Sequence, residues 1–287
     1  MRISSCSRYH LGMDIKIVFS EDPALILREA GEFLLSQPVL HNVVLSILHA
    51  RVQEPEPGRY WMAKDRDETF GVVIQSPLRF AATLTPMRLP EVKAMVDAIV
   101  EAGVSLPGVN GEAATAASFA GHWTERRNTG ATPFEGNRIY EFVGAGDAPE
   151  TKGRLRQAGP TDRDLMIAWM RAFQVEIGEP DDDTELRVDS WLAAGHIWLW
   201  EDRGETVAMA AGREPVAGVV RVSGVYTPPE MRRRGYAAAC VSALSNRICG
   251  EGYRCILYTD LGNSTSNSVY RRIGYTAVAE ALRYRFE

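Results

Sequence analysis

A change of hydrophobic period around residue 227 constrains the fold of this chain more than any other feature. Residues 219–227 carry the apolar pattern of a buried strand, and from Ala237 to Ile248 apolar side chains recur on one face of a helix. Between them lies the loop TPPEMRRRG, residues 227–235, with two prolines, three consecutive arginines and a glycine. Strands that alternate with helices in this way indicate an α/β fold.

The start of that helix predicts an anion site. The first backbone N–H groups of a helix have no partner within it and point along the helix dipole, so a phosphate fits there. Gly235 lets the chain approach such a group, and Ala237 and Ala238 keep the first turn thin. The dipole supplies only about 0.3 to 1 kcal/mol per interaction, so several N–H groups and an arginine must act together. A diphosphate fits this cluster; the alternative is a solvated basic turn.

Composition excludes several classes of function. The net charge of -5 and the pI near 5.7 argue against broad nucleic-acid binding, so any anion site is local. The four cysteines form neither a C-x-x-C pair nor a cluster with histidines, which argues against zinc and against a disulfide framework. Without an apolar run of membrane-spanning length or a signal-peptide core, we expect no membrane association and a cytoplasmic protein.

The hydrophobic pattern predicts two domains on either side of a short polar linker. We expect an α/β or α+β domain over residues 13–143, a linker over 144–152 (GAGDAPETK) and a second domain over 153–287. Residues 1–12 lack periodicity and precede Met13, so we interpret them as a frayed extension or the result of a misplaced start codon.

Particular elements follow from local signals. Asp22 and Pro23 predict an N-cap and first turn for a helix that continues to Leu34. In the second domain, Thr161 and Asp164 predict a capping box at the start of its first helix.

Two motifs in the second domain resemble the GNAT superfamily of N-acetyltransferases. Residues 225–237 (VYTPPEMRRRGYA) are similar to its acetyl-CoA-binding segment, a strand and a proline-containing turn followed by R/Q-x-x-G-x-G/A. Residues 259–275 (TDLGNSTSNSVYRRIGY) are similar to its later signature, in which Asn263 is followed by Tyr270 and by a glycine and an aromatic residue. The resemblance covers about residues 153–287 and implies the GNAT acyl-CoA N-acyltransferase fold, with a mixed α/β sheet.

The resemblance implies where acetyl-CoA binds. In this superfamily two central strands part, and the pantetheine arm enters the gap like a substitute strand, with Gly224 easing the separation here. The cofactor residues implied by motif position are Val225, Tyr226, Thr227, Arg232, Arg233, Arg234, Gly235, Tyr236, Ala237, Ala238, Asn263 and Tyr270. No metal is implied.

Two residues are candidates for the chemistry. Tyr270 lies near the cofactor sulfur by motif position and is suited to donate a proton or hydrogen bond to the departing thiolate; its alternative is a packing role. The acidic run 176–185 follows the domain's first helix, so Glu176 or Glu179 is a candidate to bind or deprotonate a cationic acceptor. The alternative for this run is a solvated acidic loop.

The first domain lacks an R/Q-x-x-G-x-G/A element, and residues 106–112 are its best counterpart. We interpret this domain as a degenerate GNAT-like copy in a tandem protein. The sequence thus predicts an N-acetyltransferase that transfers the acetyl group of acetyl-CoA to a primary amine of a small molecule or peptide. Two alternatives are a CoA-binding sensor or scaffold without turnover, and an acyltransferase that uses a longer acyl-CoA.

Overall fold

The computed structural model describes residues 15–144, 146–178 and 183–287, which form two compact units. The first unit holds the chain up to Glu135 together with Leu282–Glu287, and the second holds Gly136–Ala281. The expectations for residues 1–12 and Met13, and the candidate base Glu179, lie outside the described residues.

From Ile15 onward, where its description begins, the first unit contains five strands and five helices ahead of its shared strands. They are β1 (Lys16–Ser20), α1 (Pro23–Glu29), α2 (Gly31–Ser36), α3 (Asn42–Gln53), β2 (Arg59–Asp65), β3 (Glu68–Gln75), β4 (Ala82–Leu84), α4 (Leu89–Glu101), β5 (Gly108–Glu112) and α5 (Ala113–Arg127). Asp22 is the N-cap of α1 as predicted, since its carboxylate accepts from Ala24 N at 2.9 Å. The single helix predicted to reach Leu34 is instead two helices, which meet at Ala30.

Strands β1 to β4 pair antiparallel in chain order, whereas β4 and β5 are parallel. A parallel pair needs a crossover, which α4 supplies. Its apolar face, including Val92, Met95 and Ile99, is fully buried beside Phe119 and Trp123 of α5. This β4–α4–β5 crossover is the part of the first unit that bears on function.

The second unit begins within β6 (Ala131–Phe142) and ends within β12 (Tyr275–Phe286). Between them lie β7 (Arg154–Gln157), α6 (Arg163–Ile177), α7 (Thr184–Ala193), β8 (Ile197–Asp202), β9 (Glu205–Gly212), β10 (Val219–Tyr226), α8 (Tyr236–Gly250), β11 (Arg254–Asp260) and α9 (Ser264–Arg272). The sheet order is β12-β6-β11-β10-β9-β8-β7, and β10 and β11 are parallel across α8. The mixed α/β sheet predicted from the sequence is confirmed.

One half of a capping box forms ahead of α6, but not between the residues predicted for it. Asp162 ends a short 3-10 turn, and its carboxylate accepts from Gly159 N at 2.8 Å and from Arg156. The Thr161–Asp164 pair was wrong because Pro160 starts the turn one residue earlier than the pattern suggests.

Helices cover both faces of the second unit's sheet. On one face α8 buries Cys240, Val241 and Leu244 against Val220 and Val222 of β10. On the other face α6 and α7 bury an apolar cluster against β8 and β9; its helix residues are Met166, Ile167, Trp169, Met170 and Val188. The two faces therefore present different sites around β10.

The compact units do not follow the limits 13–143 and 153–287 expected from the sequence. The strands β6 and β12 are each continuous, yet the two ends of each belong to different units. A unit boundary inside a strand cannot be predicted from polar composition, because the residues at that boundary have the same alternating pattern as the rest of the strand.

Candidate functional site

Strands β10 and β11 pair over only part of their length. Their parallel register runs from Val219 opposite Arg254 to Val222 opposite Leu257, although the strands continue to Tyr226 and Asp260. Beyond residue 222 of β10 the two strands are no longer partners. The unpaired segments leave a gap in the middle of the sheet.

A β-bulge in β10 accounts for this separation. On β9 the partners of Ser223 and Tyr226 are Ala211 and Met209, so three steps along β10 match two along β9. Gly224 lies in the bulge with φ +57°, a left-handed conformation that glycine adopts without steric cost. The extra residue bends β10 away from β11 and turns Tyr226 toward α6. Gly224 thus lies at the point where the resemblance implies that the two central strands separate.

The loop after β10 leads into a helix whose first turn is open. Gly235 is the N-cap of α8 with φ +84°, and it has no side chain to cap the helix. The first intrahelical bond is Ala239 N to Gly235 O, and no described side chain accepts from the N–H groups of Tyr236, Ala237 or Ala238. Arg233 is also left-handed, with φ +63°. Alternating conformations of this kind turn successive N–H groups toward one point, which suits an anion.

A cavity of about 470 Å³ adjoins this first turn and the unpaired end of β10. Among the described residues, its wall contains every predicted site residue except Arg234: Glu176, Val225, Tyr226, Thr227, Arg232, Arg233, Gly235, Tyr236, Ala237, Ala238, Asn263 and Tyr270. Residues from four separate segments of the chain therefore meet in one cavity of the second unit.

The three consecutive arginines have different environments. Arg232 donates from Nε to Thr227 O at 2.8 Å and from Nη2 to the Glu176 carboxylate, and it lies over the Tyr226 ring. Arg233 lines the cavity, is exposed and forms no ion pair with the residues that the structure describes. Arg234 is directed away and donates to Glu230 O at 3.1 Å. Of the three, Arg233 is the one that lines the cavity and can bind a phosphate without breaking an existing ion pair.

Asn263 begins α9 at the cavity wall. Its Oδ1 accepts from Ser266 N at 2.9 Å, and no described residue accepts from its Nδ2 group. Asn267, one turn later, is buried and donates to the carbonyls of Asp260 and Asn263 at 2.8 Å each. The Tyr140 hydroxyl donates to Asn267 Oδ1 at 3.1 Å. This network fixes the start of α9 and with it the position of Asn263.

Tyr270 lies in the cavity wall among aromatic rings. Its ring centroid is 6.4 Å from that of Tyr140 and 5.9 Å from that of Tyr275. Burial raises the pKa of Tyr270 to about 12. None of the described residues hydrogen-bonds its hydroxyl, whereas the Tyr275 hydroxyl lies 2.6 Å from Ser245 Oγ. Tyr270 is therefore protonated at neutral pH and free to donate to a ligand.

Sequence reasoning missed several residues of the cavity wall. They are Met231, Thr265, Ser266, Val269 and Arg272. Arg272 is exposed and has no ion-pair partner in the described part of the chain, so it is a second free cation beside Arg233. Part of the signal was present, since Ser266 lies three residues after Asn263 and four before Tyr270, and Thr265, Val269 and Arg272 follow i, i+4, i+7 spacing on the adjoining face.

The segment expected to be an exposed linker is an ordered part of the second unit. Gly146 N donates to Ile273 O at 3.3 Å, and Asp147 N donates to Arg272 O at 2.9 Å. Further along, Pro149 and Thr151 pack against Gly235. The polar composition of this segment gave no sign of these contacts, since Gly146 and Asp147 make theirs through backbone N–H groups.

The strand topology shows that a different segment of the first unit is the counterpart of the arginine loop. The crossover β4–α4–β5 corresponds to β10–α8–β11, so the equivalent loop is Thr85-Pro86-Met87-Arg88 and not residues 106–112, which include β5. At the start of α4, Pro90 has no N–H to offer, and the buried Glu91 carboxylate accepts from Arg88. A carboxylate already occupies the place of an anion there, which disfavours a phosphate.

Two negative findings concern the described residues alone. Within those ranges no group of three or more His, Cys, Asp or Glu side chains is arranged to hold a metal ion. No helix among them has the length and apolar character needed to cross a membrane.

Comparison with known proteins agrees with this geometry. Residues 201–284 match the family model described as FR47-like protein. A GCN5-related N-acetyltransferase from Sphaerobacter thermophilus has a TM-score of 0.65 at 16% identity, over 94% of this chain and 95% of that one. A GNAT-family acetyltransferase from Colwellia psychrerythraea has a TM-score of 0.62 at 11% identity, over 96% and 100%. A search of curated proteins finds no match.

The chain therefore has the fold of the GNAT acetyltransferases. The GNAT fold, which the resemblance of the two motifs implies, is confirmed. Both of these solved structures share the fold over nearly the full length of the two chains compared.

Proposed function

We propose that the second unit is an acetyl-CoA-dependent N-acetyltransferase that acetylates a primary amine in a ternary complex. The observation that carries this proposal is one cavity that joins the open first turn of α8 to the gap between β10 and β11. The nucleotide diphosphate of acetyl-CoA would bind at the start of α8, and its pantetheine arm would lie in the gap between the strands.

The diphosphate is assigned to the N–H groups of Tyr236, Ala237 and Ala238, with Arg233 and Arg272 as the nearby free cations. The pantetheine amides are assigned to the unpaired edge of β10 at Val225. The carbonyl of Thr227 already accepts from Arg232, so Thr227 contributes less than its motif position implies.

Transfer forms a C–N bond between the amine and the acetyl carbon and breaks the thioester C–S bond. A lysine-like amine is neutral in only about one molecule in a few thousand at pH 7, so removal of its proton matters. The departing sulfur develops negative charge near Tyr270. A phenol with a pKa of about 12 would lose about 5 kcal/mol by giving its proton fully to a thiolate of ordinary pKa about 8.5. Tyr270 therefore acts by donating a hydrogen bond to the sulfur.

Glu176 is the candidate that accepts the amine proton. It lies at the end of α6 and lines the cavity, where one of its carboxylate oxygens is held by Arg232. A phosphate that attracts Arg232 would release this carboxylate. Glu176 is thus placed to link cofactor binding to the acceptor.

The proposal is tested by calorimetric titration of acetyl-CoA and by thiol release with a panel of amines. Arg233→Gln should weaken acetyl-CoA binding about 10-fold, the usual value of a charge-assisted hydrogen bond. The neighbouring Arg234→Gln is the control and should change affinity less than two-fold, because Arg234 lies outside the cavity wall. Acetyl-pantetheine lacks the nucleotide, so it should bind the wild type and both variants with equal affinity.

Absence of acetyl-CoA binding would overturn the proposal. Tight binding without thiol release on any amine would favour the sensor or scaffold instead, and preference for a longer chain would favour a different acyl-CoA.

A further inference from the structure

Three arginines of the second unit converge on the sheet face opposite α8. Arg187 lies on α7, Arg213 follows β9, and Arg221 lies on β10. The backbone N–H of Arg213 donates to Arg221 O at 3.2 Å, which joins the ends of β9 and β10. The Arg213 guanidinium lies 5.2 Å from the ring centroid of Trp191, one helical turn after Arg187 on α7. Strand pairing and helix spacing thus bring all three together.

These arginines have no carboxylate partner in the described part of the chain, although Arg187 Nη2 donates to Thr184 Oγ1 at 3.3 Å. None of the three forms an ion pair within residues 15–144, 146–178 and 183–287. The Arg187 Nε atom is buried without a hydrogen-bond partner. Burial, then the charges of Arg221 and Arg187, lower the pKa of Arg213. Arg213 is nevertheless exposed to solvent, so a ligand can reach it.

Nearby carboxylates are engaged elsewhere. Glu214, next to Arg213, lies 3.3 Å from His196 Nε2. On α7, Glu185 pairs with Arg171, and Asp189 pairs with Arg163. Among the described residues this cluster of like charges has no counter-ion, and a ligand with a negative charge would stabilise it.

The cluster borders the gap in the sheet. A Cβ on Gly224, at the bulge of β10, would lie 3.6 Å from the Trp191 ring. The Arg221 guanidinium lies 5.9 Å from the ring centroid of Tyr258, the first residue of β11 beyond its register with β10. The hydroxyl of Ser223, between these points, is buried without a hydrogen-bond partner. Polar groups without partners therefore surround the gap on the face that α8 does not cover.

We propose that Arg187, Arg213 and Arg221 bind an anionic group of the acceptor, so that the substrate is a small amine that also carries a carboxylate or a phosphate. This inference rests on the proposed function, because it assigns the acceptor to the side of the gap opposite the cofactor helix. The anionic group stays unreacted and positions the amine, which attacks the thioester from the α6 and α7 side. Arginine suits this role, since its planar fork binds either anion through two parallel hydrogen bonds.

The proposal differs from a cationic acceptor held by Glu176. A polyamine would bring its second ammonium toward three positive charges, whereas an amino acid or amino-sugar phosphate would neutralise them. The two ideas make opposite predictions about acceptor charge.

The experiment compares matched acceptors at saturating acetyl-CoA: α-amino acids with their primary amides, an amino-sugar phosphate with the unphosphorylated sugar, and a polyamine. We expect kcat/KM for the best anionic amine to exceed that of its neutral counterpart about 100-fold. If the amino acids show this preference over their amides, the bound anion is a carboxylate. If the amino-sugar phosphate shows it over the free sugar, the bound anion is a phosphate. Arg213→Gln and Arg221→Gln should each lower kcat/KM for that acceptor about 10-fold, mainly through KM. They should not change acetyl-CoA affinity.

Arg203→Gln, in the exposed turn between β8 and β9, is the matched control and should leave both parameters unchanged. Thermal melts with each acceptor supply a readout that does not need turnover. If an anionic amine raises the melting temperature of the wild type but not of Arg213→Gln, the site stands even if acetyl transfer fails. Equal use of neutral amines or polyamines, or no anionic compound that binds or reacts, would overturn it.

Discussion

Pro149 packs directly against the backbone of Gly235 at the start of α8. A Cβ on Gly235 would lie 2.9 Å from Pro149 Cγ and 3.0 Å from Thr151 Cγ2. Space for a side chain at this position is therefore limited by the protein's own chain and not only by a bound diphosphate. The segment before β7 thus supports the loop that we assign to the cofactor.

Gly235→Ala should destabilise the protein and weaken acetyl-CoA binding together. An alanine at a left-handed φ costs about 1 to 2 kcal/mol, and crowding against Pro149 adds about 1 to 3 kcal/mol. Gly204→Ala is the matched control, since Gly204 has φ +83° and nothing within 4 Å of the added Cβ. Urea denaturation should show a larger loss for Gly235→Ala, and calorimetry should show weaker cofactor binding for that variant alone. Equal losses of stability would contradict the role of Pro149.

Tyr270→Phe should lower kcat about 10-fold and leave the Kd of acetyl-CoA nearly unchanged, because it removes one hydrogen bond made mainly in the transition state. The high pKa of Tyr270, about 12, adds a second expectation for the wild type. Its pH–rate profile should show no loss of rate near pH 10, where an ordinary tyrosine ionises and could no longer donate. Unchanged kcat in the variant would leave Tyr270 with only a packing role.

The sequence predicts much of the second unit because its motifs are local. The apolar period of β10, the glycine before α8 and the spacing from Asn263 to Tyr270 each depend on a few neighbouring residues. Val225, Tyr226, Gly235, Asn263 and Tyr270 line the cavity, and Gly224 forms the bulge in β10.

Long-range contacts were the part that the sequence could not predict. The Arg232–Glu176 pair joins a loop to a distant helix, and the cluster of Arg187, Arg213 and Arg221 depends on strand pairing. The first unit shows the same limit. Residues 106–112 have the glycines of a phosphate loop, but only strand order reveals that the equivalent position holds Arg88 and Glu91.

The free energy of unfolding should fall as the pH rises from about 9 to 12. Burial raises the pKa of Cys240 to about 12, that of Cys255 to about 11 and that of Tyr270 to about 12. In each case the unfolded chain loses the proton at a lower pH than the folded protein. The resulting stability is present below the unfolded pKa and is lost as the pH approaches the folded pKa.

Urea denaturation across this pH range measures the effect, with Cys240→Ala for comparison. The variant should be less stable at pH 8 because it leaves a small cavity. The difference from the wild type should narrow toward pH 11, because only the wild type must keep that thiol protonated in order to fold. A constant difference would show that Cys240 does not titrate in this way.

Glu176→Gln separates a base from a residue that only holds Arg232. Glutamine keeps an oxygen that can accept from Arg232 but cannot take a proton from the amine. If Glu176 is the base, kcat should fall about 100-fold at pH 7. The deficit should shrink as the pH rises, because a growing fraction of the amine is already neutral. Acetyl-CoA affinity should stay equal or increase, since Arg232 loses a competing negative charge. Glu230→Gln, an exposed carboxylate outside the cavity wall, should change neither parameter. If kcat of the variant is reduced by the same factor at pH 7 and pH 9.5, Glu176 positions other groups and is not the base. If kcat is normal at both pH values, solvent removes the proton.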